Sequence, residues 1–342
     1  MQRHLSRILK LNVVTAATLL AAALYVDPAH AQAECGSVSI AEMNWGSAAV
    51  AAHLDKIVLE NGYGCQVTLV PGGTITTFGA MNEKGEPDIA PELWVNSFRP
   101  QLEKAVADSR LVIGAEILED GAVEGWWIPK FVADAHPEIK TVQQALANPK
   151  LFPAEDDPAV GAVTSCPTGW SCRVSTANLF KALGADEKGF KLVLPESAEA
   201  LDESIAKAFA NKTGWLGYYW APTAILGKYQ MVKLSFSVPH DKSDWDACTV
   251  VPDCATSPKI NSYPTSQAFS IVTRDFANRA ETAMDYIRKR RWTNATVNSL
   301  LAWQSDNKRS NEETARHFLQ SMPEIWTKWV PADVAEKIKA SL

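Results

Sequence analysis

Twelve tryptophans in a chain of 342 residues are the feature most able to do chemistry. Trp45 closes the strand-like run Val38-Ser39-Ile40-Ala41-Glu42-Met43-Asn44. Trp94 closes Asp88-Ile89-Ala90 with Leu93. Trp126 and Trp127 stand side by side, Trp170 lies between two cysteines, and Trp220 ends Trp215 to Tyr219. A single tryptophan usually packs a core; five at strand ends or in constrained loops point to a cavity wall. The face of an indole is electron-rich and attracts a cation that offers no hydrogen-bond donors. A quaternary ammonium is such a cation, because its methyl groups cover the charge. Trp292, Trp303, Trp326 and Trp329 fall on C-terminal helical patterns and are assigned to packing.

Elements that would position these rings are legible around them. Ser47 offers an N-cap, Val50, Leu54, Ile57 and Val58 recur at helical spacing, and Asn61-Gly62 reads as a stop. Strand-like runs then alternate with helical ones, which predicts an α/β protein with mostly parallel sheets whose ligands sit beyond the strands' carboxyl ends. We predict a signal peptide over 1–33, one lobe from 34–125 and 239–342, a second from 126–238, and a hinge closing between them. Arg3, Arg7 and Lys10 precede the apolar run Leu11–Val26, and Ala31 or Ala33 supplies the cleavage site, so the chain is expected to be exported to the periplasm.

Six cysteines in an exported chain favour disulfides. Cys166 with Cys172 and Cys248 with Cys254 share one spacing, and exclusion pairs Cys35 with Cys65. Zinc at the short pairs is disfavoured, since the spacing is long for a zinc knuckle and only His240 lies near in sequence. No metal or cofactor is expected. The formal charge of −6 argues against nucleic acid as the main partner.

Ser165-Cys166-Pro167-Thr168-Gly169-Trp170-Ser171-Cys172 resembles the Cys-x-x-Gly-Trp-x-Cys loop of glycine betaine-binding proteins. Tyr218-Tyr219-Trp220-Ala221-Pro222 is similar to their aromatic-Trp-x-Pro segment, and Glu92-Leu93-Trp94 falls where they place another cage tryptophan. Asn44-Trp45 looks more like the choline-binding branch, although that branch has an Asp where this chain has Ser47. The resemblance implies a two-lobed type II periplasmic binding protein fold with a hinge cleft, no catalysis, and a partner permease of an ABC transporter in the inner membrane. It implies Trp94, Trp170 and Trp220 as cage walls, with the backbone N–H groups of Ser171 and Cys172 receiving the ligand's anionic end; a helix starting near Val174 makes that an anion site. Trp45 and Trp127 would add walls. Among the nearby acids Glu42, Glu92 and Glu124, the last adjoins Trp126-Trp127 and is the candidate pocket carboxylate. The ligand is expected to be glycine betaine or a related compound such as proline betaine, carnitine, choline or trimethylamine N-oxide. A monomer suits a shuttle.

The rival class is a secreted hydrolase of a small molecule. No Gly-x-Ser-x-Gly elbow, His-Glu-x-x-His or phosphate loop is present, and His53, His136, His240 and His317 are scattered. Arg288-Lys289-Arg290-Arg291 reads as a solvated helix end, or as a docking patch for the permease.

Overall fold

The computed structural model describes residues 35–342, so the signal peptide expected over 1–33 lies outside the described residues. Within them, two five-stranded mixed sheets are flanked by helices. The first contains β1 (Ser37–Met43), β2 (Gln66–Gly72), β3 (Ile89–Trp94), β4 (Leu111–Glu116) and, last in the chain, β10 (Ala268–Thr273), in the order β2-β1-β3-β10-β4. The second contains β5 (Val123–Pro129), β6 (Gly161–Thr164), β7 (Phe190–Val193), β8 (Gly217–Ala221) and β9 (Met231–Lys233), in the order β7-β6-β8-β5-β9.

The sheets are less parallel than the alternation of elements suggests. β10 runs antiparallel to both β3 and β4, and β5 runs antiparallel to both β8 and β9. In each case the odd strand is one that follows or returns from a crossing, so it enters the sheet from the opposite end. The chain crosses just before Val123 and returns after Lys233. The two crossing segments touch through Ala122 and Ser266, which exchange two N–H···O bonds of 3.1 Å each. The returning segment also packs on the second sheet's helix Cys172–Ala182, where Asn178 donates to the carbonyls of Cys248, Thr249 and Val251 at 2.9–3.1 Å.

Two local expectations are corrected. The first helix runs Gly46–Tyr63, past Asn61-Gly62, and stops at Gly64 in the left-handed conformation (φ 70°). Gly62 continues the helix because it is a point of close approach: a Cβ there would stand 2.7 Å from a methyl of Val334. Ser47 is not the cap. The cap position is Trp45, without a side-chain bond, and the Ser47 hydroxyl turns inward to donate to Glu92. A buried carboxylate needs donors more than a helix terminus does, because water can reach only the latter.

The basic run at 288–291 is not one solvated face. Arg290 is fully buried, with Nε 2.7 Å from Asp55 and Nη2 donating to the Pro91 carbonyl and to Ser270 Oγ, each at 2.7 Å. This arrangement answers a gap in the ladder. Pro91 has no N–H, and the β3–β10 register shifts so that Pro91 and Glu92 together face Ser270. The freed Pro91 carbonyl then accepts from Arg290 and, at 3.2 Å, from Ser270. The bulge therefore lies at the residue that underlies the site.

Candidate ligand-binding site

A narrow cavity is lined by Trp45, Thr74, Trp94, Glu124, Trp170, Ser171, Cys172, Tyr218 and Trp220. Its walls come from both sheets. Trp45 and Trp94 follow β1 and end β3; Tyr218 and Trp220 lie on β8; Trp170 to Cys172 sit in the turn after β6. The indoles meet edge to face. Trp170 stands 5.6 Å from Trp45 at 77° and 4.9 Å from Trp220 at 81°. Perpendicular rings cannot stack into a closed plug, so they present faces from different directions. Such a set suits a compact, roughly spherical group.

Each wall is held from outside the cavity. Trp170 Nε1 donates to Asn44 Oδ1 at 2.7 Å, tying the second sheet's turn to the end of β1. Trp45 and Trp94 donate through Nε1 to one oxygen of Glu92, at 2.8 and 2.9 Å. The Cys166–Cys172 disulfide closes the turn that carries Trp170, and Gly169 takes φ 88°, a left-handed conformation that a side chain disfavours. Beyond this turn the helix Cys172–Ala182 begins, and the N–H groups of Ser171 and Cys172 enter no backbone hydrogen bond among the described residues. Free N–H groups at a helix start form an anion site.

Glu124 lines the same cavity. It lies opposite Trp220 in the β5–β8 register and accepts from the Tyr218 hydroxyl at 2.6 Å and from the Ser266 hydroxyl. Ser266 belongs to the crossing segment, so this carboxyl touches the cavity and the crossing at once. Burial raises its pKa above the usual carboxylate value, against the lowering effect of those two bonds. Glu92 is raised for the same reason.

The other predicted residues lie elsewhere. Trp127 is on the opposite face of β5 from Glu124, donates to the Tyr219 carbonyl at 2.9 Å and does not line the cavity. Glu42 approaches His53 and Asn311, at 3.0 and 3.1 Å, and borders an open cleft of about 580 Å³ that adjoins the cavity through Trp45 and Trp220. Tyr218 and Thr74 were not singled out from the sequence. Alternation along β8 puts Tyr218 on the same face as Trp220. Thr74, at a helix start after a glycine pair, carried no such signal.

Cys35–Cys65 and Cys248–Cys254 are also joined, so every cysteine is in a disulfide and none offers a thiolate. None of His53, His136, His240 and His317 lines the cavity.

Residues 36–321 match the family model described as the substrate-binding domain of the ABC-type glycine betaine transport system. The chain belongs to this family. Solved structures agree on the fold. The glycine betaine/L-proline-binding protein from Borrelia burgdorferi aligns with TM-score 0.68 at 17% identity, over 88% of this chain and 99% of that one. An ABC-transporter choline-binding protein in complex with choline gives 0.70 at 16%, over 90% and 98%. The lactococcal glycine betaine-binding protein, closed around its ligand, gives 0.66 at 16%, over 86% and 100%. No curated protein sequence matches. The family consists of transport components rather than enzymes, and the two-sheet architecture is that of a type II periplasmic binding protein. Among the described residues of this binding protein no helix is long and apolar enough to cross a membrane.

Proposed function

We propose that this protein is the periplasmic solute-binding component of an ABC importer, capturing a methylated ammonium compound by cation–π contacts and delivering it, as a monomer, to the permease. Trp45, Trp94, Trp170 and Trp220 surround the methylated nitrogen, Tyr218 completes the wall, and the N–H groups of Ser171 and Cys172 receive the anionic end. One observation carries the reading: perpendicular indoles share a narrow cavity with a helix start that has free N–H groups. Glycine betaine fits this pattern, with a trimethylammonium head and a short carboxylate tail.

A second reading rests on Glu124. Burial raises its pKa, and a protonated carboxyl in the lining can donate to the oxygen of trimethylamine N-oxide. The neighbours that bear on its titration are Tyr218, Ser266 and Lys233. Titrating the mature protein with glycine betaine, proline betaine, carnitine, choline and trimethylamine N-oxide, followed by tryptophan fluorescence and calorimetry, tests both. Saturable binding of at least one is expected, and silence from the whole panel refutes the cage. If the N-oxide is the ligand, its affinity falls as pH rises through the raised pKa, because the ionised carboxylate has no proton to donate. Betaine binding lacks that fall.

A further inference from the structure

Glu92 is the most unusual charge in the molecule. It is 0% exposed, does not line the cavity, and stands directly behind two residues that do. Three donors converge on its Oε1: Trp45 Nε1 at 2.8 Å, Trp94 Nε1 at 2.9 Å and Ser47 Oγ at 2.8 Å. Its Oε2 has no hydrogen-bond partner. The nearby buried cation, Arg290, is already paired with Asp55 and bonds to the Pro91 carbonyl and Ser270 rather than to Glu92. Arg290 is shared with Asp55, so Glu92 has no cation within hydrogen-bond distance of its own.

Burial pushes the Glu92 pKa up, whereas the three donors on Oε1 and the Arg290 charge pull it down, and a protonated Glu92 would carry its proton on Oε2, where nothing accepts it. An ionised one uses all three donors but keeps one oxygen unsolvated, and an incompletely solvated anion is stabilised by a cation arriving nearby. The two indole N–H bonds also direct the carboxylate's electron density into the rings whose faces meet the ligand.

We infer that Glu92 is the counter-charge of the site: it holds Trp45 and Trp94 in place and sets the cavity's preference for a cation over a neutral group of the same shape. The inference rests on the proposed cage and deepens it. Glu92 is a positioning and specificity residue, acting on the ligand through the two indoles.

The arrangement provides a clean test. All three donors use one oxygen, so Glu92→Gln keeps an acceptor for each of them and removes the charge; its amide N–H groups find no acceptor at the Oε2 position, a cost that falls on both probes alike. The probes are glycine betaine and 3,3-dimethylbutanoate, in which carbon replaces the quaternary nitrogen. Calorimetry on the full mature protein is expected to show E92Q weakening betaine binding by about tenfold, while the isostere, an anion with an uncharged head, is weakened by no more than about twofold. A purely structural role weakens both probes alike, and that result, or no change in either, overturns the inference while leaving the cage reading intact. Should E92Q fail to fold, Ser47→Ala decides. It removes one donor but keeps the charge and both indole bonds, so the betaine-to-isostere affinity ratio is expected to hold within about threefold. Collapse of that ratio in S47A assigns selectivity to the hydroxyl network and overturns the inference. Wild-type protein that binds neither probe is tested in the same way with choline and its carbon isostere 3,3-dimethylbutan-1-ol, and binding of none of the four overturns the inference, whereas the cage falls only with the whole panel.

Discussion

Trp170 joins the two halves of the proposed cage, and truncating it is the most informative single perturbation. Its ring is 5% exposed; it meets Trp45 and Trp220 edge to face, and its N–H reaches Asn44. Trp220 lies on β8 and Trp170 in the turn after β6 of the same sheet, so their contact is expected to persist whether or not the cleft is closed and to drop out of the binding difference. Three interactions remain. The ligand contact contributes about 1–2 kcal/mol. The edge-to-face contact with Trp45 contributes about 0.5–1.5 kcal/mol, and the bond to Asn44 about 0.5–1.5 kcal/mol. Their sum, discounted for relaxation around the missing ring, puts Trp170→Ala at roughly 2–4 kcal/mol, or about 30- to 1,000-fold in Kd. Trp170→Phe keeps a ring and loses the bond to Asn44, so about tenfold is expected. Calorimetric titration with the best ligand of the panel measures both, with circular dichroism as the check on folding. A folded W170A protein whose Kd lies within about threefold of wild type would show that Trp170 neither touches the ligand nor closes the cleft, and would refute the reasoning.

Two further predictions concern the frame. Asp202, which accepts from the Tyr219 hydroxyl at 2.6 Å, has its pKa raised by burial to about 6. The native state therefore holds this proton more tightly than the unfolded chain, and stability falls as pH rises from about 4 to about 6. Asp202→Asn keeps an acceptor for Tyr219 and should flatten that part of the stability curve, gaining at most about 2–3 kcal/mol at neutral pH; denaturant melts at pH 4 and 7 that show the same difference for both proteins would contradict it. Arg290→Ala strands Asp55, whose oxygen lies 2.7 Å from the guanidinium with both side chains fully buried. Removing one partner of such a pair is expected to destabilise the protein by about 3–5 kcal/mol in urea unfolding, whereas Arg291→Ala, on the exposed side of the same run, should change it by less than about 0.5 kcal/mol.

The local elements were readable because each is set by a short-range pattern. The strand ends at Trp94 and Trp220 follow from apolar runs bounded by turns, and β3 and β8 do end at or beside those residues. Helices in the C-terminal third follow from apolar spacing, and Asn294–Asn307, Asn311–Ser321 and Ala332–Ala340 lie where that spacing puts them. The first helix ran past its apparent stop because Gly62 answers to Val334, some 270 residues away, rather than to its neighbours. Trp127 shows the limit on a strand: alternation offers two faces, and only the register of β5 against β8 selects which one meets the cavity.

What this sequence determined by itself was a set of aromatic residues at strand ends, the cysteine spacings that pair, and the family those motifs resemble. These are carried by residue type and local period, which survive without knowledge of partners. Only the tertiary structure decided how the charges are used. It placed Glu92 under Trp45 and Trp94 and turned Ser47 from a cap into a donor. It joined Glu124 to Tyr218 and Ser266, and it took Arg290 out of a basic run and into the core. The reason is physical: a buried charge is tolerable only where its hydrogen-bond partners converge, and here those partners come from strands and helices far apart in the chain.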